Sequence, residues 1–327
     1  MRTLQYKDRA GRIRLGVLSD DGHDVVDVSD QLDAGESTTG FLRLIARARI
    51  ERTSPERILL NFRRHSSHVL TVDWDRHVLV DGAATYQIVP PISAPEVWAA
   101  GVSYRRSREA REAESGADGR EIYTRVYDAE RPELFIKDAG GRRTVGTGAS
   151  IQIRHDSSWS VPEPELALIL DRNGTIVAYT LGDDVSARDI EAENPLYLPQ
   201  AKVFGGACAL GPTALLAGAT EPAFDIALRI FDSKHQPLFE GATSTAEMRR
   251  SFGELISYLR RDNPIDDGTV LLTGTGIVPP DDFALEPGHV VEIETSQIGL
   301  LRNPVTRSAR AEQGYEEVSC GRRHYRV

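Results

Sequence analysis

The chain has 327 residues, 40% of them hydrophobic and 27% charged, a balance that excludes intrinsic disorder and allows a large buried core. Its formal charge of −10, with no basic stripe interleaved with aromatics, excludes a nucleic-acid partner. No run of about 18 apolar residues occurs, and the opening Met1-Arg2-Thr3-Leu4-Gln5-Tyr6-Lys7-Asp8 carries no apolar leader core; the expectation is a cytoplasmic protein without membrane contact.

Residues 1–92 read as a small α+β domain. Ile13-Arg14-Leu15-Gly16-Val17-Leu18 and Val25-Val26-Asp27-Val28 have strand patterning. Two helices follow, one over Thr38–Glu51 with Phe41, Leu42, Leu44 and Ile45 at helical spacing, one opened by Ser54-Pro55-Glu56. His65 and His68 share a helical turn there, but no third ligand lies nearby in sequence, which argues against a metal. Pro90, Pro91 and Pro95 mark a boundary before a short buried strand at Val97–Val102. Residues 93–327 form a second, strand-rich domain, with a charged segment at 105–125 that reads as a solvated helix or a cover over a site. The two cysteines, Cys208 and Cys320, lack CxxC spacing, and Cys208 lies in a small-residue stretch expected to bury an inert thiol.

The most informative stretch is Val161-Pro162-Glu163-Pro164-Glu165-Leu166-Ala167-Leu168-Ile169-Leu170, then Asp171-Arg172-Asn173-Gly174, then Thr175 through Asp184. Asn-Gly between apolar runs signals a two-residue type I′ hairpin loop. With Arg172 paired to Thr175, every later pair has residue numbers summing to 347. Glu163 then faces Asp184, Glu165 shares their sheet face, and Asp183 points the other way. Three carboxylates about 5 Å apart repel by roughly 3 kcal/mol per pair at an effective dielectric of ~20. The simplest relief is a hard divalent cation bound through oxygen: magnesium, with manganese or calcium as substitutes.

These residues resemble the fumarylacetoacetate hydrolase superfamily. The matching segments are Glu163-Pro164-Glu165-Leu166, Gly182-Asp183-Asp184-Val185-Ser186-Ala187-Arg188-Asp189, Gln200-Ala201-Lys202-Val203-Phe204-Gly205 and Leu272-Thr273-Gly274-Thr275-Gly276. The resemblance implies an α+β, predominantly β fold with a mixed β-roll catalytic domain, and a homodimer or homotetramer. It also implies a metal on Glu163, Glu165 and Asp184, and a 2-oxo acid substrate held by Arg188, Lys202, Thr275, Tyr104 and Arg105. The stretches Asp156–Glu165 and Glu193–Lys202 look like the branch that dehydrates 2-keto-3-deoxy-pentonates, derived from D-arabinonate or D-xylonate, to 2,5-dioxopentanoate.

Hydrolase members carry a histidine three residues after the tyrosine of the first pocket strand, whereas Tyr104 is followed by Arg105, Arg106 and Ser107. Dehydration needs proton abstraction and leaving-group protonation but no activated water, so the missing imidazole favours a hydro-lyase. Lys202 and Glu133 are the candidate proton-transfer residues. Glu133 shares a strand face with Lys137, a pair that also fits an exposed salt bridge, and Glu109, Glu112 or Glu114 of the charged segment could serve as base. His155 is unassigned. Ser186 with Asp189 three residues on fits a helix cap. The rival readings are acylpyruvate hydrolysis or oxaloacetate decarboxylation on the same scaffold, and a non-catalytic 2-oxo acid binding protein.

Overall fold

In the computed structural model, which describes residues 1–32, 40–107, 109 and 125–309, the N-terminal strands close on themselves. Arg2–Lys7 pairs with Ile13–Leu18 on one side and Ala84–Val89 on the other, and Asp24–Asp27, Val69–Asp73 and Val78–Asp81 complete the ring. Leu4, Tyr6, Leu18, Val25, Leu70, Val72, Leu79 and Ile88 fill its interior. Two helices lie outside, Gly40–Glu51 and Pro55–His65. Ser54 caps the second by accepting from the Arg57 amide at 3.2 Å, a contact worth about 1 kcal/mol.

The other end of Arg2–Lys7 pairs with Cys208–Leu216, so the ring continues into a long mixed sheet. Beyond Cys208–Leu216 come Ile176–Asp184, Pro164–Leu170, Thr269–Leu272, Glu96–Gly101 and Glu133–Ala139. Pro164–Leu170 is buried along its whole length, as expected of a strand covered on both faces. Leu166, Leu168 and Leu170 pack towards a second, five-stranded sheet that includes Asp225–Phe231, Val290–Thr295 and Gly299–Arg307. Ala167 and Ile169 pack with Phe41, Leu44, Ile58 and Leu59 of the two helices. Glu163 and Glu165 have the parity of this second set, which fixes the face on which the carboxylates stand. Among the described residues no helix is long and apolar enough to cross a membrane.

Candidate metal centre and active site

The central hairpin reaches the expected register by a different route. Its turn is a three-residue loop: the Gly174 amide donates to Asp171 O at 2.9 Å, the Asp171 amide donates to Thr175 O at 3.0 Å, the Thr175 amide donates to Asp171 Oδ1 at 2.8 Å, and Gly174 alone of the Asn-Gly pair has positive φ, 78°. This type I turn with a left-handed glycine shifts the first pairs by one residue. A bulge between Ile169 and Leu170, leaving Val177 extra, shifts them back, so Pro164 opposes Asp183 and Glu165 opposes Gly182. The Asp184 amide then donates to Glu163 O at 3.0 Å. Carboxylate oxygens of Glu163, Glu165 and Asp184 all lie within 4.8 Å of one another. Asp183 lies outside that set; its Oδ1 accepts from the Glu163 amide at 3.0 Å.

Three buried cations surround the carboxylates. Lys202 Nζ donates to Glu163 Oε1 at 3.0 Å, Asp184 Oδ2 at 3.1 Å and Ser186 Oγ at 2.5 Å. Arg188 Nη2 is 3.3 Å from Glu163 Oε1. Lys137, fully buried, donates to Val185 O at 2.9 Å and Lys202 O at 2.6 Å and faces Asp184 Oδ1. In place of an exposed salt bridge, Lys137 is a buried strut under the carboxylate cluster. Glu165 is treated differently. It accepts from the Gly274 amide at 2.5 Å, and among the described residues no cation lies within ion-pair distance. Burial, then Asp184 and Glu163, raise its proton affinity well above the ordinary carboxylate value. Burial likewise lifts the Asp183 carboxyl to about 7 and the Cys208 thiol to about 12, which makes the thiol inert.

Glu163, Asp184, Lys202, Glu133, Thr275 and Ser107 line one small cavity of about 10 Å³, room for a single water. A five-carbon acid therefore enters only with displacement of lining side chains. A larger cleft of about 670 Å³ lies among Arg47, Arg52, Arg57 and Arg64 of the N-terminal helices, but it holds none of the clustered carboxylates. The Glu133 carboxylate lies over Gly101, where an added Cβ would stand 2.0 Å from Oε2. Thr275 Oγ1 bonds Ile277 N and O at 3.2 Å. Tyr104 is buried, its hydroxyl without a partner among the described residues, and burial followed by Glu165 raises its pKa.

Other residues singled out in the sequence lie apart from the cluster or serve it differently. Arg105 is not drawn into the cluster: its side chain is 77% exposed and 3.5 Å from Glu109. Ser186 does not cap a helix; the cap position is Ala187, without a side-chain bond, and the Ser186 hydroxyl serves Lys202 instead. Asp189 binds Ser157 Oγ and the Ser158 amide at 2.7 Å each. His65 and His68 go separate ways, to Asn61 O and Asp81, and His155 is exposed. Glu112, Glu114 and Cys320 lie outside the described residues. Glu191, buried and lining the cavity, went unnoticed in the sequence because one acid in a short charged helix reads as surface.

The donor set fits a hard divalent cation. It is all oxygen, already attracts an ammonium at 3.0 and 3.1 Å, and leaves Glu165 with an amide and the more distant Lys202 charge but no ion pair among the described residues.

The mixed β fold and the buried acidic pocket define the class: the chain belongs to the fumarylacetoacetate hydrolase family, residues 96–306 matching the model for the Fumarylacetoacetate (FAA) hydrolase C-terminal region. Among curated proteins it is 50% identical over 225 residues to the 2-dehydro-3-deoxy-D-arabinonate dehydratase of Saccharolobus solfataricus, covering 68% of this chain and 75% of that one. It is 42% identical over 275 residues to a probable 2-keto-3-deoxyxylonate dehydratase of Haloferax volcanii, covering 84% and 90%. A solved structure of 2-keto-3-deoxy-D-arabinonate dehydratase complexed with magnesium and 2,5-dioxopentanoate is similar over 95% of this chain and 100% of that one, with a TM-score of 0.73 and 36% identity.

Proposed function

We propose that this chain is a magnesium-dependent hydro-lyase that converts 2-keto-3-deoxy-D-arabinonate, or its xylonate-derived equivalent, to 2,5-dioxopentanoate. The observation that carries the reading over hydrolysis is the cavity lining: Ser107 stands where hydrolase members carry histidine, and no imidazole lines the cavity among the described residues. The dehydratase names and the magnesium and 2,5-dioxopentanoate complex among its relatives support the substrate.

Glu163, Glu165 and Asp184 would hold the ion. When bound, magnesium supplies positive charge at the substrate's carboxylate and 2-oxo oxygens, which acidifies the C3 protons. Lys202, whose Nζ already donates to Glu163, Asp184 and Ser186, is suited to holding those groups and the substrate oxygens rather than to accepting a proton. Arg188 contributes positive charge for the carboxylate, with Thr275 and Tyr104 offering hydroxyls. Arg105 would reach the substrate only from the rim. Glu133 takes the C3 proton and hands it to the departing C4 hydroxyl, so water leaves and Glu133 returns to carboxylate. The resulting enone moves one proton from C5 to C3 and the C5 hydroxyl proton to C4, leaving the aldehyde. Residues 1–92 serve as scaffold to the catalytic domain 93–327, and the assembly is a cytoplasmic homodimer or homotetramer, as the family resemblance suggests.

The test incubates the full chain with magnesium and 2-keto-3-deoxy-D-arabinonate, acylpyruvate or oxaloacetate, following aldehyde, pyruvate and carbon dioxide. Aldehyde that disappears on chelation is expected. Metal-independent turnover, or full activity in Glu163→Gln combined with Asp184→Asn, would sink the assignment.

A further inference from the structure

Glu133 and Ser107 approach the cavity from two stretches of chain, and both are held by one short segment, Met248-Arg249-Arg250. On the Ser107 side, Tyr104 forms a β-bridge with Met248 and the Arg249 amide donates to Ser103 O at 3.0 Å. On the Glu133 side, Arg250 is 4% exposed. Its guanidinium donates to Val126 O at 3.2 Å, Ala129 O at 2.6 Å and Glu130 O at 3.2 Å, and to Glu254 Oε1 at 2.5 Å. Residues 125–128 are helical, so Arg250 gathers carbonyls at a helix C-terminus, where orphan acceptors and the dipole both favour a cation. Only a planar fork of five N–H donors can serve three carbonyls and a carboxylate at once; a lysine offers three from a single point. Nearby contacts tighten the same turn: Tyr258 Oη donates to Glu130 Oε1 at 2.9 Å and Arg249 stacks 5.2 Å over Tyr127. Three residues after Glu130 comes Glu133, the first residue of its strand.

We propose that Arg250 is a positioning residue for the dehydration, fixing the 126–130 turn so that the strand beginning at Glu133 delivers its carboxylate over Gly101 into the cavity. The inference rests on the dehydratase reading and goes beyond it, because Arg250 acts through Glu133 and lies outside the cavity lining. A purely structural clamp lowers stability and leaves the folded enzyme's turnover alone; a positioning clamp lowers kcat in protein that is fully folded.

The experiment compares Arg250→Met, Arg250→Lys and Tyr258→Phe in the full chain by circular dichroism, magnesium calorimetry, kcat and KM, and amide hydrogen exchange. In Arg250→Met, kcat falls on the order of 10²-fold, the loss expected from misplacing a catalytic group by about 1 Å. Magnesium affinity holds within about twofold, since no ligand of the ion is touched. Exchange rises over 126–135 and not over 163–184. Arg250→Lys and Tyr258→Phe give smaller losses in the same direction, and they decide the matter if Arg250→Met does not fold. Faster exchange over 126–135 with kcat unchanged in folded protein overturns the proposal. A parent protein inactive on 2-keto-3-deoxy-D-arabinonate refutes the dehydratase reading instead; the clamp is then judged on exchange alone, and an unaltered rate at the Glu133 amide in Arg250→Lys overturns it.

Discussion

Gly101→Ala is expected to separate the position of the Glu133 carboxylate from the stability of the fold. Gly101 opposes Glu133 across two antiparallel strands, and its φ is not in the left-handed region, so alanine is tolerated by the backbone. A Cβ there would stand 2.0 Å from Glu133 Oε2 and 2.6 Å from its Cδ, where ordinary contact begins at 3.4 Å. The carboxylate must retreat by roughly 1.4 Å, and it can do so by rotating its own flexible side chain, while alanine gains about 0.5–1 kcal/mol of backbone entropy over glycine. The melting temperature should therefore change little. A displacement above 1 Å in a proton-transferring group costs on the order of 10² in rate, about 2.7 kcal/mol of activation free energy. The assay is kcat for aldehyde formation, repeated in a Glu133→Gln background. If Gly101→Ala acts through Glu133, it adds almost nothing to the Glu133→Gln defect. An equal further loss in the double variant would show that Glu133 is not the group displaced, and wild-type kcat in Gly101→Ala would refute the placement outright.

Glu163→Gln, which removes one of the three carboxylates proposed to hold the ion, should weaken magnesium binding roughly tenfold or more, because ligand charge count sets affinity at such sites; calorimetry that finds unchanged affinity counts against the assignment. Lys137→Met takes away the partner of a buried Asp184 oxygen and two carbonyls, a change that typically costs 3–5 kcal/mol, so chemical denaturation should show a large loss. His77 offers a pH test. Burial, then Arg302, holds its pKa below the ordinary histidine value, and Nε2 is buried without a partner among the described residues. The unfolded chain thus binds the proton more readily; stability is complete above about pH 6.5 and declines as pH falls below it. Thermal melts from pH 7.5 to 5 should show that decline, and His77→Asn, which tolerates the local φ of 53°, should flatten it.

The hairpin shows what was legible in the sequence and why. Asn173-Gly174 predicts a two-residue loop and a three-residue loop forms, yet Glu163 still meets Asp184. The reason lies in the facing pairs Leu166–Leu181 and Leu168–Tyr179, which fill the core towards the five-stranded sheet; a one-residue slip would turn them against the two helices in place of Ala167 and Ile169. That matching of side chains to their two cores outweighs turn chemistry, and the bulge at Val177 absorbs the difference. Lys137 and Glu191 were harder to see because nothing local distinguishes a buried charge from a surface one. The acceptors of Lys137 lie 48 and 65 residues away. The closure of the N-terminal strands into a ring was equally hidden, as it depends on Arg2–Lys7 pairing with both of its partners at once. Arg105, which the family resemblance places with the substrate, lies where the chain turns helical, and its side chain is exposed beside Glu109.

Carboxylate repulsion, the argument that first suggested a metal, is weaker in the folded protein than in the hairpin alone. Glu163 and Asp184 form ion pairs with Lys137, Lys202 and Arg188, so much of the repulsion among the three carboxylates is relieved without an ion. The distribution is what matters. The ion pairs go to Glu163 and Asp184, while Glu165 receives an amide and a raised proton affinity. A divalent cation placed among the three oxygens would therefore act most on Glu165, which makes no ion pair among the described residues and feels Lys202 only at longer range. It would also offset the excess of acids around the pocket, where Glu133, Glu163, Glu165, Asp184 and Glu191 face Lys137, Lys202 and Arg188, and so ease the binding of an anionic 2-oxo acid and the negative charge that develops when a C3 proton leaves.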